Sequence, residues 1–215
     1  HPNVQYCKFN FPNKLLNLFL LLGKRPRLDE MINKRFQTKI DVFFFPNLNF
    51  IRTRCPYIIT CHDLSYEHFP EFFSRKQRAW HRLVQPRRLF QEARHVVAVS
   101  GHTKHDVQSL YQVPASRISV SYSGVNEAFL KDYTHDPRKE KVRNKYNLPQ
   151  KFFLYLGTLE PRKNIETLVR AFEMFKNNQP GNPTQLVIAG KKGWKCGLLL
   201  KQIQGSSYRD LITLT

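Results

Sequence analysis

Short runs of β-branched and aromatic residues alternate along this chain with longer segments whose apolar positions recur every three or four residues. Six runs predict strands, at 41–45 (DVFFF), 57–61 (YIITC), 95–99 (HVVAV), 117–122 (RISVSY), 152–156 (FFLYL) and 185–189 (QLVIA). Most are almost continuously apolar, the pattern of strands covered by helices on both faces of a parallel sheet. Helices fill the gaps. Ser100 stands where an N-cap belongs, with Val107, Leu110 and Tyr111 on one face behind it. Asn164 caps a second helix along Ile165, Leu168, Val169, Phe172 and Phe175, which Pro180-Gly181-Asn182-Pro183 stops. A third runs over 80–93 through Trp80, Leu83, Val84, Phe90 and Ala93, and Pro86 should kink or split it. Strand, helix, strand in this order makes right-handed parallel crossovers. The apolar pattern lapses after Asn126, which predicts an amino-terminal domain over 1–130, a charged linker over 131–149 with a short helix at 139–146, and a second domain from 150 to 215.

Composition narrows the picture. At 41% hydrophobic and 13% aromatic, the 215 residues can bury a core. The 35 Lys and Arg against 16 Asp and Glu leave a net charge of +19, which favours anionic partners without saying which. Cys7, Cys55, Cys61 and Cys196 form no C-x-x-C pair and join no His cluster, so neither a metal site nor a disulfide framework is expected, and a reducing, cytoplasmic compartment fits. The apolar run at 15–22 falls short of the roughly 20 residues that span a bilayer and reads as a buried helix. The first residue is His1, which suggests that a preceding segment exists.

In an open parallel sheet, ligands bind beyond the carboxyl ends of the strands. Four segments lie there. His62-Asp63 follows the second strand and can hydrogen-bond sugar hydroxyls or a phosphate, though an isolated His-Asp pair fits a structural role better. Ser100 and Thr103 open a helix after the third strand, and Gly124 follows the fourth, where a plain turn also accounts for it. The fourth segment, Gly157-Thr158-Leu159-Glu160-Pro161-Arg162-Lys163-Asn164, says more. Cations at a helix start oppose the macrodipole, so Arg162 and Lys163 there call for an anionic ligand. A guanidinium fork and an ammonium at one strand-to-helix corner describe a diphosphate site.

The string from Phe153 to Asn164 resembles the donor-site signature of family 4 glycosyltransferases, and bacterial mannosyltransferase-like members in particular. Thr60-Cys61-His62-Asp63-Leu64, Phe69-Pro70, Val99-Ser100 with Thr103-Lys104, and Ser123-Gly124-Val125 occur in that family's order. The resemblance implies an α/β fold of the GT-B type, two Rossmann-like doubly wound parallel-sheet domains, both incomplete over this stretch. It implies transfer of a hexose, mannose favoured, from a nucleotide-diphosphate sugar, GDP-mannose favoured, to a glycan or lipid-linked acceptor. Retention of configuration, no metal or other cofactor, and peripheral attachment to the inner membrane surface come with it. His62 and Asp63 would be catalytic, Gly157, Arg162, Lys163 and Asn164 would bind the donor diphosphate, and Ser100, Thr103 and Gly124 would line the cleft. Thr158 departs from the pattern, since many members carry Arg there. The family's glutamate-bearing signature would follow Thr215 and its first strand would precede His1, so this stretch alone is expected to be inactive. Two other readings stand beside this one: an epimerase-like GT-B protein acting on sugar nucleotides, and a basic nucleic-acid-binding module, against which the scattered charge argues.

Overall fold

The computed structural model of the chain describes residues 12–21 and 27–215. It divides into two compact units, His1–Gly124 and Val125–Thr215, so the stretch 131–149 lies in the second. Cys7 and part of the apolar run at 15–22 lie outside the described residues.

The first unit begins with α1 (Asn13–Leu21) and α2 (Leu28–Phe36), followed by β1 (Phe43–Phe45) and β2 (Tyr57–Cys61). Then come α3 (Ser65–His68), α4 (Arg75–Val84), α5 (Pro86–Glu92), β3 (His95–Ala98), α6 (Gly101–Tyr111) and β4 (Ile118–Val120). The four strands form one parallel sheet in the order β1-β2-β3-β4. Strand β1 is shorter than its apolar run because Phe43 is bonded to the carbonyl of Pro56, and a proline has no N–H to carry the ladder back towards Asp41. Ile59, Cys61, Val96 and Ala98 share one buried face, against which α5 and α6 pack Phe90, Val107 and Tyr111. The opposite face, carrying Ile58, Thr60 and Val97, is only half-buried, so β2 alternates instead of being covered on both sides. Pro86 splits the helix expected over 80–93: Gln85 turns left-handed (φ 54°) between α4 and α5. Ser74 and Gln77 close a reciprocal capping box at the start of α4.

The second unit contains α7 (Arg138–Tyr146), β5 (Phe152–Leu156), α8 (Ile165–Asn178), β6 (Gln185–Ala189), α9 (Gly197–Gly205) and β7 (Ile212–Leu214). Its parallel sheet runs β5-β6-β7. Val169 and Phe172 of α8 and Leu199 and Ile203 of α9 meet Leu186 and Ile188 in its core. Strand β7 was not marked by the hydrophobic pattern; three residues, Ile-Thr-Leu, are too few to show a period. The expected cover on both faces is absent at β5, where Leu154 and Leu156 are 59% and 78% exposed. Among the described residues no helix is long and apolar enough to cross a membrane.

Candidate functional site

The register Cys61↔Ala98 and Ala98↔Val120 brings three strand ends of the first unit side by side. His62, on the exposed turn after β2, has Nε2 2.9 Å from the carbonyl of Pro46. A carbonyl only accepts, so Nε2 carries the proton and Nδ1 is left for another partner. Asp63 is engaged locally: Oδ1 accepts from the Ser65 amide at 2.9 Å and from its hydroxyl, which starts α3. Ser100 is the N-cap that the pattern predicts, its Oγ accepting from the Thr103 amide at 3.0 Å. Thr103 is 5% exposed, and its hydroxyl meets Ser100 Oγ at 2.9 Å and donates to the His62 carbonyl at 3.4 Å. Thr103 thus ties the His62 turn to the start of α6. Gly124 lies on exposed chain with nothing within 4 Å of a hypothetical Cβ. Burial pushes the Cys61 thiol up to about 12, so it stays protonated and is no nucleophile.

The second set of residues gathers at the ends of β5 and β6. Here one expectation needs correction. Arg162 and Lys163 lie at the strand-to-helix corner, in the 3₁₀ turn Pro161–Lys163 directly before α8, but Asn164 is not the cap that the pattern predicts. Asn164 follows in a left-handed conformation (φ 49°) and makes no side-chain cap; its Oδ1 accepts from the Thr167 hydroxyl at 2.8 Å instead. Left-handed backbone aims the Asn164 side chain away from the amides that a capping residue must reach. Lys163 directly precedes the N-cap residue Asn164, so both cations stand just outside the helix start.

The structure supplies a different reason for Arg162. Glu160, 7% exposed, accepts from Arg162 Nε at 3.2 Å, with Nη2 3.1 Å from the same oxygen. A buried carboxylate grips one side of the guanidinium and leaves Nη1 for a ligand. Gly157 is held by its amide to the Ala189 carbonyl at 2.9 Å, while Tyr155 places its hydroxyl 2.9 Å from where a Gly157 Cβ would be. Burial, and then the charge of Glu160, keep the Tyr155 phenol protonated.

Sequence reasoning missed the loop after β6. Leu159 pairs in parallel with Lys192, donates to the Lys191 carbonyl at 3.0 Å and accepts from the Gly193 amide at 3.0 Å. A Cβ on Gly190 would sit 1.9 Å from the Gly157 carbonyl, and one on Gly193 would sit 2.7 Å from that of Leu159. Only glycines allow the two loops this close. The approach sets Lys191 and Lys192 against Leu159, three residues before Arg162 in the chain. The spacing of Gly190 and Gly193 around paired lysines, directly after an apolar strand, was the available signal. Among the described residues no three His, Cys, Asp or Glu side chains are placed to hold a metal ion.

Comparisons with known proteins show the family. The family model described as Glycosyltransferase Family 4 matches residues 3–129, and that of Glycosyl transferases group 1 matches residues 137–206. The O-antigen chain mannosyltransferase B of Escherichia coli is 26% identical over 152 residues, covering 68% of this chain and 38% of that protein. The chain thus spans well under half the length of that relative. A glycosyltransferase from Rickettsia africae superposes over 99% of this chain and 54% of its own, at a TM-score of 0.61 and 16% identity. Anabaena Alr3699/HepE, solved with UDP-glucose, covers 81% of this chain and 48% of its own at a TM-score of 0.56 and 17% identity. With the first family model spanning more than half of the chain and an α/β fold of the GT-B type, the chain belongs to Glycosyltransferase Family 4.

Proposed function

We propose that the protein carrying this chain transfers a hexose, mannose favoured, from a nucleotide-diphosphate sugar to a glycan or lipid-linked acceptor. The observation that carries this reading is the corner after β5, where buried Glu160 orients Arg162 beside Lys163 and the lysine-bearing loop after β6 closes on it. As the glycosidic bond breaks, negative charge grows on the departing diphosphate. Arg162 and Lys163 stabilise that charge electrostatically and transfer no proton. A cation held in place, as Arg162 is by Glu160, does this without reorganising, and metal-independent transfer belongs to the same reading. Gly157 lets the chain leave β5 tightly towards this corner, with the Tyr155 hydroxyl filling the space beside it. His62 contacts the transferred sugar through Nδ1, and Asp63 sets the turn that holds it. Retention of configuration belongs to the same reading.

The mannosyltransferase named among the relatives supports mannose, and the UDP-glucose bound by Alr3699/HepE supports a nucleotide-sugar ligand; GDP as the carrier belongs to the proposal alone. A lipid-linked acceptor would bring a cytoplasmic enzyme to the inner membrane surface, each nearby Lys or Arg adding about 1 kcal/mol.

The decisive measurement is nucleotide binding by calorimetry with GDP, UDP and ADP, on this chain and on its Arg162→Gln/Lys163→Gln variant. Loss of two charge-assisted contacts should weaken the preferred diphosphate by about a hundredfold, near 3 kcal/mol. Equal affinity for the variant would remove the donor-site assignment.

A further inference from the structure

At the opposite, amino-terminal edge of the first sheet lies a second feature that the transferase reading does not use. A cavity of about 370 Å³ opens there between the segment leading into β2 and the α4–α5 junction. Arg27, Arg52, Arg54 and Arg88 line it, and Glu92 is the one carboxylate on its wall. The segment is held firmly: the Leu28 amide donates to the Arg52 carbonyl at 3.0 Å, and the Arg54 amide reaches Asp29 Oδ1 at 3.4 Å. Tyr57 closes the floor, its hydroxyl donating to the Leu89 carbonyl at 2.7 Å.

The four guanidiniums are unequally satisfied. Arg88 donates to Glu92 at 2.7 Å. Arg27 Nη1 lies 3.5 Å from Glu30 Oε1 as an ion pair, yet this buried nitrogen has no hydrogen-bond acceptor. Arg52 and Arg54 have no carboxylate partner among the described residues. The buried Arg27 N–H without an acceptor is costly unless an anion joins it, and the half-buried Arg52 and the exposed Arg54 add positive charge to the same concavity.

We propose that this cavity is a second ligand site that takes a phosphate group. Guanidinium forks match phosphate oxygens in pairs, and four around one concavity suit a dianion better than a carboxylate. Phe50, Leu83 and Leu89 supply an apolar wall for the organic part of a phosphate ester. Tyr57 begins β2 and His62 follows its end, so about 13 Å of strand separates this site from the reaction side. The proposal is therefore independent of the donor-site assignment. The phosphate can come from a soluble sugar phosphate or from an anionic lipid headgroup.

The test is a titration of the isotopically labelled chain with inorganic phosphate, followed by amide chemical shifts. Saturable shifts at residues 52–54 and 83–88 are expected. Arg54→Gln, at an exposed position, should raise the dissociation constant several-fold, and Arg52→Gln with Arg54→Gln by about tenfold. Lys163→Gln should leave it unchanged. Tighter binding of a hexose phosphate at the same residues identifies a soluble ligand. Co-sedimentation with phosphatidic acid vesicles that Arg52→Gln/Arg54→Gln abolishes identifies a headgroup. Shifts confined to 157–164 or 190–195, shifts that never saturate, or an Arg54→Gln variant that binds as before would overturn the proposal.

Discussion

Glycine 190 shows how much a single position decides. Its φ of 155° belongs to a region that side chains avoid, and a Cβ would stand 1.9 Å from the Gly157 carbonyl. Gly190→Ala must push the β5 and β6 loops apart, at a cost of about 2–4 kcal/mol. Chemical denaturation should show that loss together with weaker nucleotide binding. Gly124→Ala, where a Cβ meets nothing, should change neither. Glu160 is the residue whose part could not be read in advance. The string Glu160-Pro161-Arg162 suggested cations awaiting an anion, yet one of them already has a buried carboxylate at hydrogen-bond distance. Sequence shows which charges are present; it does not show which of them are matched.

Among the elements, α4 carries a pH dependence. His81 stacks on Tyr66 with centroids 4.1 Å apart, and meets Trp80 and Phe73 edge-on. Burial in this aromatic cage holds the His81 pKa below its usual value. The neutral ring is thus favoured by folding, while the unfolded chain takes up a proton below about pH 6.5. Stability should be fully present above that value and decline as pH falls towards the lower folded pKa. Denaturation between about pH 8 and about pH 5.5 checks this against His81→Phe, in which the slope should flatten. Strand β5 makes a different point. Its five apolar residues predicted full cover, but Phe153 meets Phe175 of α8 on one face while Leu154 and Leu156 stay open on the other. An apolar run gives a strand's composition, and what packs on it is set elsewhere in the chain.

For the whole molecule, charge is the dominant property. With a net +19, repulsion between like charges works against the compact state more than scattered surface ion pairs support it. Raising sodium chloride from about 50 to about 500 mM should therefore raise the melting temperature, because screening acts on the excess repulsion. A fall would mean that ion pairs such as Arg138–Asp136 and Arg88–Glu92 outweigh it. Part of the excess is not scattered. Arg27, Arg52, Arg54 and Arg88 meet at the amino edge of one sheet, and Arg162 and Lys163 follow the carboxyl end of β5 in the other.

The sequence by itself determined the alternation of strands and helices, the split at Pro86, the cap at Ser100 and the residues of the β5 corner. These depend on neighbours a few positions apart, where side-chain period, proline geometry and capping act directly. Tertiary structure alone decided that the Gly190 loop closes on Gly157 and that four arginines from three separate segments share one cavity. Parallel register and sheet order bring those groups together across distances of up to some sixty residues, over which no local periodicity reaches.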